Sequence, residues 1–125
     1  MTQTILMIDD EEDILIVTQR CLELEGGWEV MVATSSAEGL ELAEQCQPDA
    51  ILLDVMMPDM DGATTIKRLK ANPATASIPV VFLTAKRSPT ERDWYLGLGA
   101  VAVVGKPFDP LEISRQISDA LGWQG

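Results

Sequence analysis

The chain contains no histidine. That absence removes a Ser-His-Asp triad, a Cys-His pair and every imidazole metal ligand in one step. Cysteine is almost as scarce. Cys21 and Cys46 are the two thiols, too few for a disulfide scaffold; both fall in helical patterns, where they read as small apolar residues. Positive charge is nearly missing from the first half, since Arg20 is the sole basic residue between Met1 and Ile66. The formal net charge of −11 argues against sequence-independent binding of nucleic acid. No apolar run approaches the ~20 residues of a membrane span. Met1-Thr2-Gln3-Thr4 lacks the basic segment that opens a signal peptide. The chain therefore reads as cytoplasmic and not inserted in a membrane.

What is present is a chain of 125 residues, 46% of them hydrophobic. That suffices for one globular domain with a real core, and the whole of 1–125 is expected to form it. Short apolar runs alternate with helical patterns. Thr4 to Ile8 reads as a first strand. A helix follows with Ile14, Val17, Cys21 and Leu24 on its inner face, stopped by Gly26-Gly27. Trp28 to Ala33 is a second strand. Ser35 or Ser36 caps a helix through Cys46 with Leu40 and Ala43 inward. Ala50 to Leu53 is a third strand, apolar throughout, as in a parallel sheet buried on both faces.

Gly62 to Ala71 is a third helix, with Ile66 and Leu69 buried and Lys67, Arg68 and Lys70 outward. Ile78 to Leu83 is the fourth strand, Pro89 to Leu96 the fourth helix and Val101 to Val104 the fifth strand. Asp109 caps a last helix with Ile113, Ile117 and Leu121 inward. Strands joined through helices are parallel, with right-handed crossovers. The expected fold is thus a three-layer α/β sandwich.

Four strand ends carry polar groups. The first strand runs into Asp9 and Asp10, the third into Asp54, the fourth into Thr84, and the fifth stops just before Lys106. In a parallel sheet these ends share one edge, the edge where open α/β sheets hold their ligands. Two carboxylates ~4 Å apart repel by ~4 kcal/mol at a protein-like dielectric. Such a cluster is relieved by a proton or a hard cation, and an all-oxygen site with open positions suits Mg²⁺. Together with Lys106, that ion would neutralise the oxygens of a phosphoryl group arriving at Asp54. Phosphoryl transfer is catalysed mostly by such positioning and charge stabilisation. Asp54 is the natural nucleophile, because a carboxylate can form an acyl phosphate. Thr84 has a hydroxyl to donate to a phosphoryl oxygen.

Met7-Ile8-Asp9-Asp10-Glu11, Leu53-Asp54-Val55-Met56-Met57-Pro58 with Met60-Asp61-Gly62, Leu83-Thr84-Ala85-Lys86 and Gly105-Lys106-Pro107-Phe108 span nearly the whole chain. In these motifs it resembles the receiver domain of two-component response regulators, the CheY-like family. The resemblance implies a flavodoxin-like (βα)5 doubly wound sheet with strand order 2-1-3-4-5. It implies Asp54 as phosphoacceptor, supplied by a phosphohistidine on a histidine kinase or histidine phosphotransfer protein; a chain without histidine needs its donor from elsewhere. Asp10 and Asp54 would bind Mg²⁺, with Asp9 acting through water and the Met56 backbone carbonyl as a further ligand. Thr84 and Lys106 would sense the phosphoryl group, and the Lys106-Pro107 bond would be cis. The domain would be a signalling acceptor with slow self-dephosphorylation, not a turnover enzyme. With no output domain following, it would act by binding a downstream protein through helix 4, strand 5 and helix 5, as a monomer or weak dimer. Trp94 and Tyr95 are candidate anchors there.

Two positions depart from the family pattern. Val103 stands three residues before the lysine, where relatives often place a Tyr or Phe that swings inward. Met56 is apolar at a position near the attacking water in relatives, so its identity is expected to bear on the lifetime of the phosphorylated form. Other readings fit less well. A flavodoxin-type phosphate binder needs a Gly/Ser/Thr loop after strand 1, where this chain has Asp9 to Asp13. A haloacid-dehalogenase-type phosphatase needs a second Asp where Met56 stands. The remaining alternative is a receiver-like protein-binding module that works without phosphorylation.

Overall fold

The computed structural model describes residues 2–85, 88–106, 109 and 112–123. Five parallel strands form one sheet in the order β2-β1-β3-β4-β5: β1 (Thr4–Ile8), β2 (Glu29–Ala33), β3 (Ala50–Asp54), β4 (Val80–Thr84) and β5 (Ala102–Gly105). The helices α1 (Glu12–Cys21), α2 (Ser36–Cys46), α3 (Gly62–Ala71) and α4 (Pro89–Gly97) join them, and α5 (Ile113–Leu121) follows β5. This is the fold class expected from the alternation of apolar runs and helical patterns.

Strand period sorts the core into two layers. Leu6, Ile8, Ile51, Leu53 and Phe82 point to one face, beneath Ala43 of α2, Ile66 and Leu69 of α3 and Tyr95 of α4. Ile5, Met7, Leu52, Val81 and Leu83 point to the other, beneath Leu15 of α1 and Ile113 and Ile117 of α5. Every residue of β3 and of β4 is buried. That explains why neither strand shows polar alternation.

Ser35 caps α2, accepting from the Glu38 N–H, and Asp61 caps α3, accepting from the Thr64 N–H at 2.7 Å. Ser88 does the same for α4. The backbone carbonyl of Asp109 accepts from the N–H groups of Glu112 and Ile113; residues 110–111, where its expected cap would act, lie outside the described residues.

One face was expected wrongly. Ile14, Val17 and Leu24 are exposed and Cys21 is half-buried. The inner face of α1 is Leu15, Thr18 and, in the wide π-helical turn Leu22–Gly26 that continues it, Leu22. Gln19 fixes that rotation, since its side-chain amide donates to the Val30 carbonyl of β2 at 2.8 Å. Lys70 is also less exposed than expected, because its ammonium donates to the carbonyls of Ala76 and Ile78 and closes the loop before β4. Cys46 is exposed instead of packed.

Candidate functional site

Register carries the polar strand ends to one rim. Ile8 lies beside Leu53, Asp54 beside Leu83, and Thr84 beside Gly105. The next backbone links continue the sheet outward: Asp9 N–H to the Ala33 carbonyl, Val55 N–H to the Leu83 carbonyl and Lys106 N–H to the Thr84 carbonyl at 2.8 Å. Asp9, Asp54 and Lys106 are therefore set by sheet hydrogen bonding and not by loop conformation. Gly62 tightens the loop after β3. Its N–H donates to the Val55 carbonyl, and a Cβ there would come within 2.9 Å of the Val55 Cα.

The side chains then meet. Lys106 Nζ is 3.0 Å from Asp9 Oδ2, 3.3 Å from Asp54 Oδ2 and 3.3 Å from Glu11 Oε1. Asp54 Oδ1 accepts from the Met56 N–H at 3.2 Å. Asp9 is fully buried, and Asp54 and Thr84 nearly so. Burial and the neighbouring Asp9 charge push the Asp54 carboxyl up to about 6, although Lys106 and the Met56 N–H pull the other way. For Lys106, burial alone would lower the ammonium pKa. The hydrogen bond to Asp9 and the charges of Asp54 and Asp9 outweigh it and hold the pKa above its usual value.

The structure thus brings Asp9, Asp54 and Lys106 into contact and puts Thr84 at the end of the adjoining strand. Asp10 is exposed, and its carboxylate is not in this cluster. Glu11, which the sequence reading passed over, takes a place instead: Asp9, Glu11 and Asp54 each offer an oxygen within 4.8 Å of the others. The signal available for Glu11 was only its membership in the acidic run. Met56 presents its backbone N–H to Asp54 while its side chain is exposed. Lys86, Pro107 and Phe108 of the motifs, and with them the Lys106-Pro107 bond, lie outside the described residues. An all-carboxylate donor set with a raised pKa at its centre fits a hard divalent cation such as Mg²⁺.

Comparison with known proteins decides the family. The model of the response regulator receiver domain matches residues 5–118. This chain is a member of the response regulator receiver family. Among curated relatives it is 37% identical over 121 residues to the alkaline phosphatase synthesis transcriptional regulatory protein PhoP of Bacillus subtilis, covering 97% of this chain and 49% of that one. It is 36% identical over 117 residues to the response regulator SaeR of Staphylococcus aureus, covering 94% of this chain and 50% of that protein. The receiver chain therefore spans about half the length of these relatives.

Solved receiver structures superpose closely on it. The chemotaxis response regulator CheY4 of Vibrio cholerae gives a TM-score of 0.89 at 27% identity, over 96% of this chain and 99% of that one. A putative response regulator from Chloroflexus aurantiacus gives 0.87 at 30% identity, over 98% and 99%. The receiver is accordingly a signalling domain of two-component systems. Among its described residues no helix is long and apolar enough to cross a membrane.

Proposed function

We propose that this receiver accepts a phosphoryl group on Asp54 from a phosphohistidine of a partner kinase or phosphotransfer protein, and that the change controls its binding to a downstream protein. The observation that carries this reading is the ammonium of Lys106 held between two buried carboxylates, one of which, Asp54, lies beside it at the sheet rim. In the transfer, the donor's P–N bond breaks as a bond forms between phosphorus and an Asp54 oxygen. Lys106 counters the negative charge brought in, and Thr84 donates its hydroxyl to a phosphoryl oxygen. Asp10 and Asp54, Asp9 through water and the Met56 carbonyl would hold Mg²⁺, which supplies charge neutralisation for the phosphoryl oxygens. Asp10 would have to turn inward from its exposed position to take part.

The outward face of α1 supports a protein donor. Ile14, Val17 and Leu24 are 36%, 52% and 82% exposed, with the half-buried Cys21 between them. They form a stripe at helical spacing that begins two residues after Glu12, beside the acceptor rim. Gln19 faces β2. At 3.6 residues per turn, Val17 lies ~200° around the helix from it, on the flank away from β2. A donor carrying phosphohistidine over Asp54 must cover this rim, and an apolar helical face on it would bury the stripe.

Intact mass after incubation with Mg²⁺ and acetyl phosphate tests the acceptor. The wild-type chain is expected to gain one phosphoryl group and Asp54→Asn none. A wild-type chain that gains nothing would leave the binding-module reading in place of this one.

A further inference from the structure

Glu11 has no part in the acceptor or sensing roles given above, and beyond its place in the carboxylate cluster it makes a contact of its own at the site. Its backbone is fixed twice: the N–H donates to Asp9 Oδ1 at 3.0 Å, and the carbonyl accepts from the Leu15 N–H at the start of α1. As the residue preceding α1 it makes no side-chain cap on the helix. It turns instead to Lys106, with Oε1 3.3 Å from Nζ. Lys106 is thus shared among three carboxylates of unequal freedom. Asp9 and Asp54 are enclosed at strand ends, whereas the Glu11 side chain is 53% exposed. Of the three, Glu11 alone can swing into solvent without disturbing the sheet.

We infer that Glu11 is a positioning residue that holds Lys106 in the resting arrangement and competes with the phosphoryl group for its ammonium, so that it slows phosphorylation and weakens the phosphorylated form. The inference rests on reading Asp54 as the acceptor. When a phosphoryl group arrives, Lys106 must exchange its carboxylate partners for phosphoryl oxygens. A third carboxylate on the open side of the site favours the state before that exchange. An exposed ion pair is a modest restraint, so Glu11 tunes the step and does not block it.

The test uses acetyl phosphate, from which acetate leaves as its bond to phosphorus breaks and the Asp54 oxygen bonds phosphorus in its place. Phosphorylation rate is measured for the wild type, Glu11→Gln, Glu12→Gln, Lys106→Ala and the Glu11→Gln/Lys106→Ala pair. Equilibrium affinity for beryllium trifluoride, a phosphoryl mimic, gives a readout independent of turnover. Glu11→Gln is expected to raise both the rate and that affinity about 1.4- to five-fold, the range an exposed ion pair spans. Glu12→Gln, which removes the same charge one residue away on α1, is expected to leave both unchanged.

In the Lys106→Ala background Glu11→Gln is expected to have no further effect, because the action runs through the ammonium. Equal effects of the two glutamate changes, or a Glu11→Gln effect that survives without Lys106, would overturn the inference in favour of plain charge repulsion. A wild-type chain that takes up no phosphoryl group would sink the acceptor reading itself. A wild-type chain that does, matched by Glu11→Gln, would sink only the role of Glu11.

Discussion

At the scale of single residues, Asp54 shows what the site costs the fold. Its carboxyl pKa is raised from 3.8 to about 6, first by burial and then by the Asp9 charge. An acid whose pKa is higher folded than unfolded binds its proton more tightly in the native state. Its contribution to stability is complete below the unfolded value and is lost as pH rises through the folded one. At neutral pH the ionised carboxylate therefore destabilises the chain, by roughly 1–3 kcal/mol for a shift of this size. Asp54→Asn is expected to raise the unfolding free energy at pH 7.5 by that amount, and the advantage should vanish as pH falls from 6 to below 4. Added Mg²⁺ should shrink it at pH 7.5 by stabilising the wild type alone. Urea titrations across that range check this; an advantage that does not depend on pH would show that the raised pKa is not its source. The strand-end position of Asp54 was legible in the residues themselves, because an unbroken apolar run ended in it. The placing of Asp10 outside the carboxylate cluster was not: two adjacent acids at a strand end look alike until backbone direction sends one inward and the other to solvent.

At the scale of elements, the strands were easier to read than the rotation of a helix. A strand buried on both faces admits nothing polar, so β3 and β4 announced themselves by composition. Helix α1 offered two stripes. Ile14, Val17, Cys21 and Leu24 form the more apolar one, and burial by hydrophobicity favours it. The structure buries Leu15, Thr18 and Leu22 instead, because the Gln19 bond to β2 sets the rotation. A stripe that local pattern assigns to the core and the fold leaves outside is better explained by an absent partner than by internal packing. Ile14→Gln with Val17→Gln tests that account. Both positions face solvent, so the folded chain should lose little stability, within about 0.5 kcal/mol per site. Transfer from a phosphohistidine protein is expected to slow tenfold or more, the scale of losing an interface anchor, while phosphorylation by acetyl phosphate should keep its wild-type rate. Equal rates from the protein donor before and after substitution would remove α1 from the docking surface.

On the scale of the whole molecule, the proposed acceptor role requires coupling to a distant surface without an aromatic at Val103. The structure offers a different line of contact. Thr84 and Phe82 share a face of β4, two residues apart. The Phe82 ring lies 5.1 Å from that of Tyr95 on α4, and Tyr95 lies 5.1 Å from Trp94. Tyr95 is buried and Trp94 is 54% exposed. The exposed Val101 lines a groove with Arg92, Val103, Gln116 and Asp119, between α4, β5 and α5. Lys106 enters the same line through its backbone bond to the Thr84 carbonyl. A phosphoryl group adds about −1.5 to −2 charge at Asp54, and drawing Lys106 and Thr84 toward it would shift β4 against α4. Phosphorylation is therefore expected to change the emission of Trp94 and to alter partner affinity by ~5–150-fold, the usual span of allosteric coupling. Trp28 and Trp123 meet edge to face, their ring centroids 5.4 Å apart, outside this line, so Trp94→Phe should abolish the change while their emission persists. Lys106→Ala, once phosphorylated to the same extent, should keep its Trp94 emission near that of the resting form and bind the partner with resting affinity. A full optical and binding response in that variant would mean that the signal leaves the site by another route, with Lys106 serving the transfer alone.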